Sequence, residues 1–322
     1  MAKRRRIIVR RLVIVLTVLV LLTMAFIYLW PLGETSLSTS HPQTLTYAES
    51  VANIAAVQAN EANIDVRPEC RTQFLTHGSA TAKMIVMFHG VGACPVQFAA
   101  MGTYFYNRGY NVYIPRAPHY GLTSNRDHGK VTAQELVSYT DSSVTIGTGL
   151  GTEHDVIGIS GGGVLATWAA EYRPDAVDRL EVLSPFYAPS KSAVPFFERR
   201  FLSVLYGLGI LPDSFNSAKS TALSFHALGQ YMRLTANFKS DPVNTNLKSI
   251  TSVTAPGDMA IDHEPARTIP QHIATTNNLT LNLPLLPVSW GLGHDIATAE
   301  PNRDINGHST DLYPIYFTGL EN

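Results

Sequence analysis

The chain has 322 residues, enough for one large domain plus an appendage, and 45% hydrophobic with 15% charged side chains describes a globular core enriched by one very apolar segment. That balance excludes an intrinsically disordered chain. A net charge of −1, with the basic residues clustered only at the extreme N-terminus, excludes an electrostatic footprint for nucleic acid.

Lys3, Arg4, Arg5, Arg6, Arg10 and Arg11 precede Leu12 to Trp30, an uncharged run that would span about 28 Å as a helix, close to the hydrocarbon thickness of a bilayer. The pattern predicts a basic cytoplasmic tail over residues 1–11 and a single transmembrane signal-anchor over residues 12–30. By the positive-inside rule everything after Pro31 is then extracytoplasmic, with Tyr28 and Trp30 in the far interface. The alternative is a cleaved signal peptide and a secreted protein. Its apolar region would normally be shorter, and no good small-x-small cleavage site lies around Met24 to Leu32. The only cysteines are Cys70 and Cys94, which such a compartment would permit to pair; the alternative is two unrelated thiols.

Residues 31–66 turn polar and irregular through Ser36 to Ser40, then run alanine-rich at helical spacing from Tyr47 to Ala62, which predicts a linker and a short helix. A domain is expected over residues 67–322. Its first strand is expected at Cys70 to Thr76. Gly78 to Thr81 supplies a turn before Lys83 to His89, a near-continuous apolar run of the kind found in buried strands. A helix through Met101 and Tyr104, a strand at Gly109 to Pro115, a loop over Arg116 to Gly121 and an amphipathic segment at Thr132 to Val144 follow. Val156, Ile157 and Ile159 then lead as β-formers into Ser160. Val164 to Tyr172 reads as a helix that stops before Pro174, and Arg179 to Ser184 as another strand. This alternation predicts an α/β fold with a mostly parallel sheet covered by helices on both faces.

Gly158-Ile159-Ser160-Gly161-Gly162 matches G-x-S-x-G, in which a serine sits on a sharp strand-to-helix turn and small neighbours at Gly158 and Gly162 let strand and helix pack closely. The pentapeptide alone is weak, since a glycine-rich turn can carry it by accident. The strand–turn–helix order around it points to Ser160 as a nucleophile.

With these residues in view, the chain resembles the serine-nucleophile α/β-hydrolases from about Pro68 to the C-terminus. Phe88-His89-Gly90 matches the H-G that follows the family's third strand. More narrowly, Phe88 to Phe98, Arg108 to Tyr110 and Ile114 to Gly121 are similar to bacterial hydrolases grouped with lysophospholipase-like and monoacylglycerol-lipase-like esterases. His119-Tyr120-Gly121 stands where that group often has glycine-histidine-glycine, so the loop matches loosely. The resemblance implies a helical cap inserted over the active site at about residues 186–246. That stretch contains Pro189, Pro195, Phe196-Phe197, a leucine-rich segment from Leu202 to Leu211 and a second helical stretch at Thr221 to Asn237, with no convincing strand. The sheet is expected to resume at Ile250 to Gly257, then at Leu279 to Leu285, Leu286 to Ser289 and Gly291 to His294.

A serine hydroxyl needs a base to take its proton, histidine is suited to that task, and an acid must orient the histidine. The order Ser160, Asp258, His294 is the one this fold uses, and both partners follow expected strands. Asp262 is the alternative acid and Asp241 a more distant one. His308 is the main rival to His294, while His226, His263 and His272 read as ordinary surface or structural residues. The resemblance implies oxyanion donors at the backbone N–H groups of Val91 and Gly161, the latter aided by a helix N-terminus. His89 and Gly90 are expected to support that loop, with His89 bracing it through hydrogen bonds.

No zinc-ligand spacing and no phosphate-binding glycine loop occur, so no metal and no cofactor are expected. The reading is a membrane-anchored, extracytoplasmic serine hydrolase that cleaves acyl or lipid-like esters through an acyl-enzyme, with a small-molecule substrate, the membrane contacted through the N-terminal helix, and no nucleic acid. Three alternatives stay open: an acyltransferase to an envelope acceptor with the same triad, a peptidase, and a non-catalytic binding or scaffold protein on a hydrolase fold.

Overall fold

The computed structural model describes residues 2–124, 126–195, 198–216, 223–299 and 304–321. Its helices are α1 (Ala2–Leu29), α2 (Tyr47–Ala62), α3 (Ala99–Tyr106), α4 (Ala133–Gly147), α5 (Gly161–Tyr172), α6 (Arg199–Phe201), α7 (Phe225–Thr235), α8 (His263–Thr276) and α9 (Ser309–Glu321). The strands are β1 (Gln73–Leu75), β2 (Thr81–Phe88), β3 (Asn111–Ile114), β4 (Gly151–Ile159), β5 (Arg179–Leu183), β6 (Phe215–Asn216), β7 (Leu223–Ser224), β8 (Ser249–Val253) and β9 (Leu281–Asn282).

Seven strands form one sheet in the order β1-β3-β2-β4-β5-β8-β9, parallel throughout except for β1, which runs antiparallel to β3. The apolar runs read from sequence are buried on both faces, as parallel strands under helices must be. On one face Val86, Val156, Leu180 and Ile250 pack with Val144 of α4, Trp168 of α5 and Ile273 of α8. On the other, Ile85, Met87, Ile157 and Val253 pack with Phe105 of α3 and Tyr316 and Leu320 of α9. Capping boxes start two of the helices: Thr46 with Glu49 opens α2, and Thr132 with Glu135 opens α4.

Helix α1 contains the segment Arg4–Leu29, long and apolar enough to cross a membrane at a mean hydropathy of 2.9. Its end is gripped by the cap region, where Arg200 donates from Nε to Ile27 O at 2.8 Å and from Nη2 to Trp30 O at 2.5 Å. The stretch after it is less of a linker than its polarity predicts. Leu37 is buried and its carbonyl accepts from Trp168 Nε1 at 2.8 Å, Ser40 Oγ donates to Tyr172 O at 2.8 Å, and the His41 N–H donates to Asp141 Oδ2 at 2.8 Å. These bonds of Leu37, Ser40 and His41 tie the stretch to the domain.

Three expectations are corrected. The strands expected between Leu285 and His294 are absent: β9 stops at Asn282, and Val288–Trp290 is a 3-10 turn. Pro284 and Pro287 remove two ladder donors from that stretch. The cap contains a short hairpin, β6 with β7, where no strand was expected, and α7 begins at Phe225. The leucine-rich helix is a brief turn of α6 continued as a π-type turn over Leu202–Tyr206 before Gly207 and Gly209. Phe196, Phe197 and Thr221 lie outside the described residues. Helix α9, not expected at all, closes one face of the sheet.

Candidate active site

Strand β4 delivers its last residue, Ile159, to a turn so sharp that Ser160 takes φ 55° and ψ −118°, a conformation an L-residue adopts only when its surroundings enforce it. The enforcing contacts are visible. A Cβ on Gly158 would lie 2.1 Å from Gly162 O, and one on Gly162 would lie 1.8 Å from Phe88 O, so β2, β4 and α5 can meet only through glycine. The Ser160 N–H donates to Leu183 O at 2.9 Å, which ties the turn to β5.

Asp258 follows β8 and His294 lies in the loop after Trp290, and the fold brings both to Ser160. His294 Nδ1 lies 2.8 Å from Asp258 Oδ2, and His294 Nε2 lies 2.9 Å from Ser160 Oγ. The carboxylate can only accept, so Nδ1 carries the proton and Nε2 is left to accept from the serine hydroxyl. Burial works to raise the Asp258 carboxyl, but the hydrogen bond and charge of His294, with the Ala260 N–H on Oδ1 at 2.8 Å, outweigh it and hold the group below the usual carboxylate range. Ser160 is 8% exposed and the Asp258 side chain fully buried, while the His294 side chain keeps 24% of its surface in contact with solvent.

Asp262 is assigned elsewhere. Its Oδ2 accepts from Arg199 Nη2 at 2.7 Å and its Oδ1 accepts from the Glu264 N–H at 3.1 Å, so it caps α8 and ties the cap to the acid loop. His308 is paired with Asp311 Oδ2 at 2.8 Å and stacked on Trp290, and is not a lone solvated side chain. His226 and His272 bond to the carbonyls of Gly129 and Ser240. His263 Nε2 lies 2.8 Å from Asp258 O and so touches the acid turn only through backbone.

The loop after β2 is built around His89. The Ala117 N–H donates to its Nε2 at 3.1 Å, which leaves Nδ1–H to donate to Gly90 O at 3.0 Å. Burial pushes its pKa down to about 4, against the opposing pull of the Gly90 carbonyl, so the ring is neutral and its two hydrogen bonds are complementary. The Gly90 N–H is held by Gln97 Oε1 at 2.8 Å. Val91 then approaches Gly161, its Cγ2 lying 2.5 Å from where a Gly161 Cβ would be. Among the described residues no loop or turn hydrogen bond uses the N–H of Val91 or of Gly161. A disulfide joins Cys70 to Cys94 across 5.2 Å between Cα atoms and holds the far side of this loop.

Sequence reasoning missed two supports. Gln97 carries no pattern that distinguishes it from a surface glutamine. Asp304 accepts from the Gly293 N–H through its carbonyl at 2.7 Å and from the Asp295 N–H through Oδ2 at 3.0 Å, and so grips the histidine loop on both sides of His294. Among the described residues, no group of three or more His, Cys, Asp or Glu side chains converges in a way that could hold a metal ion.

No protein-family model matches the sequence, and no curated protein matches it. Solved structures do. A monoacylglycerol lipase from Paleococcus ferrophilus superposes with a TM-score of 0.59 at 15% identity, over 78% of this chain and 98% of that one. A soluble variant of the Saccharomyces cerevisiae monoglyceride lipase, solved with a substrate analogue, gives 0.55 at 13% identity over 77% and 91%. A structure from work on the metagenome-derived lipolytic enzymes LipS and LipT gives 0.54 at 15% over 78% and 99%. At these identities the likeness is one of fold.

Proposed function

The chain has the α/β-hydrolase fold, and from that premise we propose that it is a serine hydrolase of carboxylic esters, tethered to a membrane by α1 with its catalytic domain on the extracytoplasmic side. The observation that carries the reading is the unbroken relay from Asp258 through His294 to Ser160 at a strained strand-to-helix turn. Ser160 Oγ attacks the ester carbonyl as His294 Nε2 takes its proton. His294 then gives that proton to the leaving alcohol, and water, activated by the same nitrogen, releases the acid from Ser160. Asp258 stays ionised and holds the imidazolium. The N–H groups of Val91 and Gly161 receive the oxyanion, each worth about 3–4 kcal/mol in comparable sites.

The Cys70–Cys94 bond supports an oxidising compartment, and the basic residues before α1 support a cytoplasmic N-terminus. Acyl or lipid-like esters are the favoured substrates. The apolar surroundings of the elbow and the monoacylglycerol and monoglyceride lipases among the structural neighbours support that class.

The test is a fluorophosphonate reacted with the full-length protein in detergent, followed by peptide mapping. Stoichiometric adduct at Ser160 is expected, and Ser160→Ala is expected to abolish labelling and lower ester hydrolysis by at least about a thousandfold. Absence of an adduct on folded protein, or substantial activity in Ser160→Ala, would overturn the reading.

A further inference from the structure

The outer edge of the sheet opens into a groove that the relay does not use. It lies between α8 and the chain that leaves β9, on the face of β8 that carries Ile250 and Ser252, and its volume is about 450 Å³. That lies within the roughly 300–1,000 Å³ of small-molecule sites. The sequence makes the opening. Strand β9 ends after two residues, because Pro284 and Pro287 cannot continue a ladder, and the chain from Leu283 to Leu286 runs on beside α8 with the groove between them. Strand β5 stands between β8 and β4, so the groove is at least two strand spacings, about 10 Å, from the strand that carries Ser160 to its turn.

One wall is apolar, formed by Leu283, Leu285 and Leu286 with Pro256. Leu286 is buried, whereas Leu283 keeps 39% and Leu285 95% of its surface in solvent. Single exposed leucines are ordinary, but these line one concavity. The opposite wall is the first two turns of α8, which present His263, Glu264 and Arg267. Glu264 Oε2 accepts from Lys191 Nζ at 2.7 Å, which offsets its charge. His263 Nε2–H donates to Asp258 O at 2.8 Å, since a carbonyl can only accept, and the neutral ring then carries no proton on Nδ1. At the floor Ser252 Oγ donates to Ala266 O at 2.8 Å. Arg267 is different. It is exposed, and among the described residues it makes no hydrogen bond or ion pair. The groove therefore combines an apolar wall with one unspent positive charge.

We propose that this groove binds the anion of a long-chain fatty acid, with its carboxylate on Arg267 and its chain along Leu283, Leu285 and Leu286. The match is one of charge and shape. A guanidinium pairs with a carboxylate through two parallel N–H···O bonds, which suits a flat monoanion at the mouth of an apolar channel. A phosphate monoester, carrying close to two negative charges at neutral pH, would leave one of them unmatched. An uncharged lipid would leave the guanidinium unused. Because His263 joins the same wall to the backbone of Asp258, the bound acid lies beside the turn that carries Asp258 and not over Ser160. The site is separate from the relay and does not depend on the ester-hydrolase reading.

The experiment is photolabelling of the full-length protein in nonionic detergent with a palmitic acid that carries a diazirine midway along its chain, followed by peptide mapping. Light-dependent adduct is expected on the 283–286 segment or on the facing turns of α8, and excess unlabelled palmitate should remove it. Arg267→Glu is expected to lower that adduct by about tenfold, the size of a lost charge-assisted pair, while Arg267→Lys retains part of it. Leu285→Asp, at a side chain 95% exposed, should weaken labelling from the other wall. Both positions are on the surface, so the variants should fold, which circular dichroism checks. Hexadecanol bearing the same diazirine should label the groove about tenfold less than the acid. Equal labelling by acid and alcohol would make the groove a plain apolar surface and overturn the proposal. So would adduct confined to the cap, the elbow or α1, or a groove adduct that Arg267→Glu leaves unchanged. The probe is not an ester, so Ser160→Ala should label the groove as the wild type does, and failure here leaves the ester-hydrolase reading to its own fluorophosphonate test.

Discussion

Asp258 and Asp262 are four residues apart and chemically identical, yet one points at His294 and the other at Arg199. The turn between β8 and α8 makes that choice, and sequence spacing alone left both open. Asp258→Asn is expected to lower kcat by roughly 10³–10⁴-fold, because an amide cannot hold the Nδ1–H tautomer or stabilise the imidazolium. Asp262→Asn, which breaks an ion pair at the edge of the site, is expected to cost far less; equal losses in steady-state assays would mean the assignment is wrong. His89 illustrates a different residue-scale effect. Its folded pKa of about 4 lies below the unfolded value of 6.5, so the stability it contributes is complete above pH 6.5 and is lost as pH falls towards 4. His89→Gln is neutral at every pH, so the difference in denaturation midpoint between wild type and variant should shrink steadily over that interval. A constant difference would show that His89 is not held neutral by burial.

Among the elements, the strands and helices that carry the site were legible because burial on both faces writes itself as uninterrupted Val, Ile, Leu and Met. The C-terminal helix was not. Its Pro314 and Gly319 and its β-forming Tyr313, Tyr316 and Phe317 all argue against a helix locally, and it forms because Leu312, Tyr316 and Leu320 complete one face of the sheet. The Cys70–Cys94 bond works at this scale too, since it fastens the loop after β2 to the residues before β1 and presses on Gly121. Closing a loop between cysteines 24 positions apart is worth about 3 kcal/mol by chain entropy. Reduction is therefore expected to lower both the denaturation midpoint and kcat, measured with and without reductant. Unchanged values would show that the loop is held by His89 and Gln97 without the crosslink.

Across the whole molecule, the buried acids set the response to pH. Burial raises Asp155 to about 7, against the pull of Arg179, and Glu171 to about 8, against that of Lys239. Both folded values exceed the unfolded ones, so the stability these groups contribute is full in acid and is lost as pH rises through 7 and 8. Stability should accordingly fall by roughly a few kcal/mol between about pH 5 and pH 8 and level off above that. Glu171→Gln, which retains an oxygen for the Lys239 N–H, should flatten part of that decline in chemical denaturation; an unaltered slope would exclude Glu171 as its source. The sequence by itself determined the apolar N-terminal segment, the alternation of strand and helix, the serine at its glycine-bounded turn and the order of its partners. Each of these is carried by local composition or by steric demands within a few residues. Only the tertiary structure decided which carboxylate meets His294 and that Asp304 steadies the histidine loop. Those outcomes depend on segments far apart in the chain being packed together, and no local pattern encodes where a long-range contact will close.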